Sequence, residues 1–477
     1  MRSTLPNFSY YAQVSSEYTA LITNDKQLWT YIFERDIKAR GLCYPSNLRP
    51  IEEASATQIE SWVKHAYSLE KRYSTPNLKT IALRVKVRGR VMWAKLLRGR
   101  WCLIASADSA SSELSIWDIS SSSDIRLRTK VHLRAPVFDG QLEDTGDFIH
   151  VAVTVATTDP SIMIFNLHQT NDEDIVLTEL AEIVGAAPTL MLKGPYVGFA
   201  TWHGDDTFPF IYNWKTGSSV ELRYHVEQDQ SDLTPLPVER CAAMAIWTSF
   251  VIVVLRSELL VFNIEWSSEI SERNTVSSVT PFTTVAIPES HRFRDHKGVI
   301  TIKAGDVVGS VMRWYIHNLL LLLRSDGMGK DVNFSFIEDP EHERETDDLL
   351  IKRYYVILSC VGTTGKRLCS LSPQRKRRGR WTPPMLNTTP IHTTMGHIDT
   401  CKVQYRGVHS TIGDPVQVSR AGLPLPHGIS CLDFDDGCGI ALLGTLSGEF
   451  CLTFFTEKNI LAPESLLHDL PLVDHFP

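Results

Sequence analysis

Two hydrophobic periodicities divide this chain. Up to about residue 75 the apolar positions recur at helical spacing. From residue 80 they gather into short runs separated by turn residues. In the helical stretch, Leu28, Trp29, Ile32 and Phe33 share one face. Asn24 or Asp25 can cap this helix, and Gly41 and Pro45 end it. A second helix is predicted after Ser55, where Ser55-Ala56-Thr57-Gln58 has the form of a capping box. Ile59, Trp62, Val63, Ala66, Leu69 and Tyr73 then form one apolar stripe. Such a stripe needs a surface to cover it, and the domain that follows is the expected one.

Beyond residue 80, a pair of landmarks recurs. The first is an aromatic residue opening an apolar strand: Trp101-Cys-Leu-Ile-Ala, Phe148-Ile-His-Val-Ala, Tyr196-Val-Gly-Phe-Ala and Phe250-Val-Ile-Val-Val, at intervals of 47, 48 and 54 residues. Gly99, Gly146 and Gly194 precede the first three by two positions. The second landmark is an apolar-aromatic-Asp/Asn triplet, ending at Asp118, Asn166, Asn213 and Asn263, with its aromatics 48, 47 and 50 residues apart. Two landmarks keeping one period predict a β-propeller, in which each blade buries its faces only against its neighbours. The aromatic-led runs read as inner strands, covered on both faces. The triplets read as the next strands out, whose Asp or Asn side chains suit a turn.

The later units are blurred. Asn318–Arg324 with Val332–Ile337 resembles a fifth blade, Tyr354–Cys360 belongs to a fifth or sixth, and Gly439–Gly444 with Glu449–Phe455 forms a last hairpin. Six or seven blades fit, with seven favoured. The predicted organisation is a helical segment over 1–50, an amphipathic linker helix over 51–79 and a mainly β propeller over 80–477. The acidic run Glu338–Asp348 and the basic run Arg375–Arg380 read as exposed loops.

Composition narrows the functional classes. The net charge of −7 excludes a globally basic, phosphate-binding surface, and 43% hydrophobic with 22% charged residues excludes a largely disordered chain. The most apolar runs, Phe250–Leu255 and Leu319–Leu323, are far shorter than the ~20 residues of a spanning helix. With no signal-peptide core, the chain is expected inside the cell, in cytoplasm or nucleus. Nine scattered cysteines without a CxxC pair read as free thiols rather than zinc ligands. No metal or cofactor is expected. His291, Asp295 and His296 have spacing that suits neither a strand nor a helix face, and a solvated loop is expected there. The motifs of serine hydrolases, P-loop enzymes, zinc proteases and dinucleotide enzymes are absent from the sequence. A propeller hydrolase would need a carboxylate pair facing one channel. Arg375, Lys376, Arg377, Arg378 and Arg380 fit a nuclear-import signal, a phosphate contact or a plain solvated loop. Nucleic-acid binding is not expected, because only Trp381 accompanies the run as a stacking aromatic.

Two resemblances follow from these residues. Ser106-Ala-Asp108 with Leu114-Ser-Ile116-Trp117-Asp118 is similar to the strand pair of a WD-repeat blade, without the Gly-His that opens a typical repeat. Val14, Tyr18 and Leu21, followed by Asn24-Asp25-Lys-Gln-Leu28-Trp29, resemble the second half of an F-box, with Tyr18 at a position where Trp is usual. Together they resemble the fungal F-box proteins that carry a divergent WD-repeat-like propeller. The resemblance implies a non-enzymatic substrate-recognition subunit of an SCF-type cullin-RING ubiquitin ligase. Val14, Tyr18, Leu21, Leu28 and Trp29 would then form the adaptor-facing and internal apolar surface. The implied partners are the ligase adaptor, the cullin scaffold and a protein substrate held by the propeller. The alternative is a propeller scaffold with no ubiquitin role. For the substrate surface, Trp202 beside Gly204-Asp205-Asp206 is the candidate the sequence offers.

Overall fold

The computed structural model describes residues 23–45, 48–75, 81–109, 111–120, 125–170, 174–203, 206–223 and 428–455. Between 241 and 417 it describes the strands named below with a few flanking residues. The fold is mainly β, preceded by a helical segment.

Asp25 caps the first helix, α1 (Lys26–Ile32), through a hydrogen bond from the Leu28 N–H at 3.0 Å. A π-helical turn, Phe33–Lys38, continues it, and Gly41 follows at φ 67°, a backbone state that favours glycine. Helix α2 (Ala56–Tyr73) starts with the predicted capping box. The Ser55 hydroxyl accepts from the Gln58 N–H at 3.2 Å, and the Gln58 side chain accepts from the Ser55 N–H at 2.8 Å. All six stripe residues are buried. Trp29, Ile32, Phe33 and Ile37 pack against Ile59, Trp62, Val63 and Ala66 in a core of their own. Leu69 and Tyr73 join a different core, shared with the sheets.

The strands form seven sheets among the described residues. The first holds Arg90–Leu97, Trp101–Ala107, Ser112–Asp118 and Arg126–Leu133 in chain order. The second holds Val137–Asp144, Ile149–Val155, Ser161–Gln169 and Ile175–Val184. The third holds Thr189–Lys193, Tyr196–His203, Asp206–Asn213 and Ser219–Leu222, with Val276–Val279 added in parallel at its edge. The fourth holds Ala243–Trp247, Phe250–Val254, Glu258–Asn263 and Thr283–Ala286. The fifth holds Lys303–Ala304, Val311–Ile316, Leu319–Ser325 and Val332–Ile337. The sixth holds Ser359–Val361, Arg367–Arg375, Trp381–Thr394 and His409–Ile412, with Val416–Gln417 paired to its third strand. The seventh holds Ile429–Asp435, Ile440–Thr445 and Glu449–Phe454, and its outer strand is Ile81–Lys86 from the other end of the chain.

Core residues lie between successive sheets rather than within one. One cluster joins Trp93, Leu103 and Ile116 of the first sheet to Val151, Val153 and Phe165 of the second. Others join the second to the third, the third to the fourth, and the seventh to the first. The second strands are therefore covered on both faces. Trp101–Ala107, Ile149–Val155 and Phe250–Val254 are buried along their whole length.

The aromatic landmark opens, or immediately precedes, the second strand of each of the first four sheets. A further strand lies before it, at Arg90–Leu97, Val137–Asp144, Thr189–Lys193 and Ala243–Trp247. In two of them charged residues interrupt the apolar pattern, Lys95 in Arg90–Leu97 and Asp139 and Glu143 in Val137–Asp144, which hid them from the sequence reading. The triplet residues divide. Asp118 accepts from the Ser120 N–H at 3.0 Å, and Asn213 accepts from Lys215 and Thr216 N–H, as turn residues do. Asn166 instead sits inside the strand Ser161–Gln169, opposite His150 and Thr178, so its assignment to a turn is corrected.

Replacing Ser55 with Ala removes one half of the capping box. It should lower the unfolding free energy by about 1 kcal/mol in a denaturant titration, with little change in the β circular-dichroism signal.

Candidate functional site

The helical segment is seated on the turns between the first and second strands of the sixth and seventh sheets. At the centre is Asp436, fully buried in the turn after Ile429–Asp435. Its carboxylate accepts from the Thr364 N–H at 2.7 Å, the Thr364 hydroxyl at 2.6 Å and the Arg367 N–H at 3.2 Å, joining the seventh sheet to the sixth. Cys43 places its thiol 3.8 Å from the same carboxylate. The Tyr73 hydroxyl donates to the Asp436 carbonyl at 2.9 Å, and the His65 Nε2 lies 2.9 Å from the Gly437 carbonyl oxygen. The Tyr73 ring packs against Phe434 and Phe455, with the Arg367 guanidinium stacked 4.2 Å from its centroid. Arg367 also pairs with Glu70 of α2 at 2.9 Å. Gly437 is needed for close approach: a Cβ there would lie 2.3 Å from the Tyr44 carbonyl oxygen.

The same end of the other sheets is stitched turn to turn. A Cβ on Gly99, in the first sheet's turn, would lie 2.3 Å from the Cys438 sulfur of the seventh. Arg98, held at φ 52° with its guanidinium buried, grips Asp144 of the second sheet at 2.6 and 2.7 Å and donates to the Gly146 carbonyl at 3.0 Å. Glu143 accepts from the Gly194 N–H of the third sheet at 2.6 Å. These contacts align the first turns of the sixth, seventh, first, second and third sheets side by side. In an antiparallel meander the turns between second and third strands lie at the other end.

That opposite end carries the remaining candidates. Trp202 lies near the end of the strand Tyr196–His203, paired with Thr207. Arg375 ends the strand Arg367–Arg375, paired with Trp381, while Lys376, Arg377, Arg378 and Arg380 lie outside the described residues. The first strands also begin there, and four share one irregularity. A bulge interrupts their pairing at Met92, Phe138, Leu190 and Ser430, with no counterpart in the sequence landmarks. Phe138 is 45% exposed. Beside it, Asp139 accepts from the Gly140 N–H at 2.7 Å, and burial pushes its carboxyl up to about 7 against the pull of Lys95. The Lys95 ammonium lies 3.4 Å from Asp433, whose other oxygen accepts from the Leu96 N–H at 2.8 Å. Lys95, Asp139 and Asp433 thus come from the first strands of three successive sheets. Asp433 is committed to Lys95 and to backbone, so these two carboxylates are not an acid/base pair.

The adaptor-facing candidates are only partly placed. Trp29 is buried in the helical core, and Leu28 is half-buried against it. Val14, Tyr18 and Leu21 lie outside the described residues, as do His291, Asp295 and His296. Tyr31, which the sequence reading passed over, is 58% exposed on α1, with the Arg35 guanidinium 5.0 Å from its ring centroid. The eight described cysteines are free thiols, all but Cys431 buried. Burial raises several of them, Cys451 to about 11, which suppresses thiolate chemistry. No group of metal-ligating residues is found among the described residues, nor any helix long and apolar enough to cross a membrane.

No protein-family model matches this sequence, and no curated protein is significantly similar to it.

Two outcomes test the seat and the stitched end. Gly437→Ala should force Tyr44 and Pro45 away, destabilise the fold by about 1–3 kcal/mol and speed proteolysis within 23–75. His150, stacked on Phe148 at 4.5 Å with Trp214 edge-on at 5.4 Å, has its imidazole pKa lowered by burial and then by Lys215. The unfolded chain therefore takes up this proton first. The stability His150 lends is complete above about pH 6.5 and is lost as pH falls below it. His150→Phe should flatten the melting temperature between pH 7 and 5.

Proposed function

We propose that the seven sheets are the blades of one seven-bladed, WD-repeat-like propeller, and that the chain is the substrate-recognition subunit of an SCF-type ubiquitin ligase. Two features support the propeller. Cores are shared between successive sheets, and the strand Ile81–Lys86 completes a sheet otherwise built from the last strands. The observation that carries the receptor role is the helical segment's seat. Such a ligase works by proximity: a bound protein is held within reach of a ubiquitin-loaded conjugating enzyme. Proximity requires a fixed path from adaptor to substrate. Here α2 is capped, packed on α1, and tied to Asp436 and Gly437 by Tyr73 and His65. Among the described residues the segment occupies one end, and a substrate would be held at the other. The chemistry belongs to other subunits of the complex. The sequence resemblance to an F-box supports the same assignment.

Binding of the full chain to the purified adaptor subunit tests this. Tyr31→Ala, at an exposed position, should weaken binding about tenfold or more with an unchanged melting temperature. Trp29→Ala should weaken binding and lower the melting temperature together, because it empties the helical core. An intact chain that does not bind the adaptor would leave a propeller scaffold with no ubiquitin role.

A further inference from the structure

We propose that the outer strands of the seventh and first sheets form a docking surface for an acidic, extended segment of a partner protein. The inference goes beyond the receptor assignment and does not depend on it.

The distribution of charge carries it. Residues 81–134 supply the outer strand of the seventh sheet and all of the first. They hold eleven Lys and Arg against four Asp and Glu, on a chain whose net charge is −7. Burial then sorts these charges by sign. On and just after the seventh sheet's outer strand, Arg84, Lys86, Arg88 and Arg90 are exposed. On and just after the first sheet's outer strand, Arg126, Arg128, Lys130 and Arg134 are exposed, together with His132. Among the described residues of these two sheets and their turns, no carboxylate is exposed. Glu113, Asp118, Asp433, Asp435 and Asp436 are buried, and Asp108 and Glu449 are half-buried. The two strands are neighbours, because Leu83 and Val85 of one, and Ile125 just before the other, pack against the same core.

Cations on a sheet edge can serve only to keep a second edge away. The other outer strands show that this fold does not use them so. Ile175–Val184 of the second sheet and Ser219–Leu222 of the third carry glutamates and no Lys or Arg, and Thr283–Ala286 of the fourth carries no charge. Nor do ion pairs within the chain use up the basic surface. Arg84 lies 3.8 Å from Glu449, Arg88 3.0 Å from Asp108, Arg128 2.7 Å from Asp118 and Lys130 3.0 Å from Glu113, and Arg134 pairs with Glu182. Those five carboxylates stand against eight exposed Lys and Arg, and Asp118 is also 3.7 Å from Arg100. Pairs this close to water are worth about 0–1 kcal/mol each, so an incoming carboxylate can share their cations.

Spacing and side-chain type select the partner. The cations recur at every second residue, as at Arg84 and Lys86 and at Lys130, His132 and Arg134. Alternate residues of a strand lie about 6.4–6.8 Å apart, and an extended peptide with a carboxylate at every second residue has the same repeat. Single-stranded nucleic acid offers a similar charge but is held through bases stacked on aromatic rings. Among the described residues of these two sheets, the exposed large apolar side chains are Leu127 and Leu446, and neither is aromatic.

Fluorescence anisotropy of labelled peptides titrated with the full chain, at pH 7 and low salt, tests the proposal. A peptide of four Glu-Thr repeats should bind, and one of four Lys-Thr repeats should not. The same acidic residues reordered as four glutamates followed by four threonines should bind more weakly. Equal affinity for the two orders would mean attraction to charge alone and would overturn the match to an extended segment. Lys86→Gln combined with Arg126→Gln should weaken binding of the Glu-Thr peptide about fivefold with an unchanged melting temperature. Lys215→Gln combined with Arg223→Gln removes the same charge from exposed positions on the third sheet and should leave binding unchanged. Equal losses in the two double variants would remove the surface from consideration. On the unmodified chain, affinity should fall as salt rises, and an affinity indifferent to salt contradicts the proposal. Oligothymidine bound more tightly than the peptide, and weakened by the same variants, would assign the surface to nucleic acid instead. An intact chain that ignores the Glu-Thr peptide refutes the proposal outright.

Discussion

One buried carboxylate holds the architecture together. Asp436 is fully enclosed, and an enclosed charge survives only where donors surround it. Here the donors come from the sixth sheet, through Thr364 and Arg367, and from the helical segment, through Cys43. Its own carbonyl and that of Gly437 then accept from, or lie against, Tyr73 and His65. Three regions of the chain that are remote in sequence therefore share one set of hydrogen bonds. None of them can leave without stranding polar groups in the interior.

The rest of the assembly follows one constraint, that no sheet here can cover its own two faces. Where the described residues show a core, an apolar face is matched by the next sheet, so the cores fall between sheets and second strands such as Trp101–Ala107, Ile149–Val155 and Phe250–Val254 are buried along their whole length. At the end that carries the helices, the joints are polar and specific: Arg98 to Asp144, Glu143 to Gly194, Asp436 to Thr364. At the other end, bulges interrupt four first strands, and one of them leaves Phe138 half exposed. The two ends therefore differ in chemistry, the helix-bearing one being fastened by charged and polar joints between sheets.

How much of this was legible in the sequence depended on whether a signal was local. The capping box, the stripe from Ile59 to Tyr73, and the period of Trp101, Phe148, Tyr196 and Phe250 could be read directly, because burial imposes a short-range pattern. Asp118 and Asn213 were legible as turn residues, whereas Asn166 carries the same triplet inside a strand. Two of the first strands were hidden by Lys95, Asp139 and Glu143, of which Lys95 and Glu143 meet Asp433 and the Gly194 N–H on neighbouring sheets. Nor did anything local mark Asp436 among the three aspartates of Asp433–Asp436, or pair Ile81–Lys86 with Glu449–Phe454. Those are long-range relations, and they also fix the candidate sites.

That last pairing sets an order on biosynthesis. Ile81–Lys86 leaves the ribosome hundreds of residues before its partner strand exists. The seat for α2 is likewise made from residues 364–437, so the helical segment emerges long before its own landing place. Until residues 428–455 are made, the nascent chain carries an unmatched strand edge and, at Leu69 and Tyr73, an uncovered end of the apolar stripe. A chain stopped before residue 449 would therefore lose the partner of Ile81–Lys86 as well as the strand Glu449–Phe454, undoing two regions far apart in sequence at once.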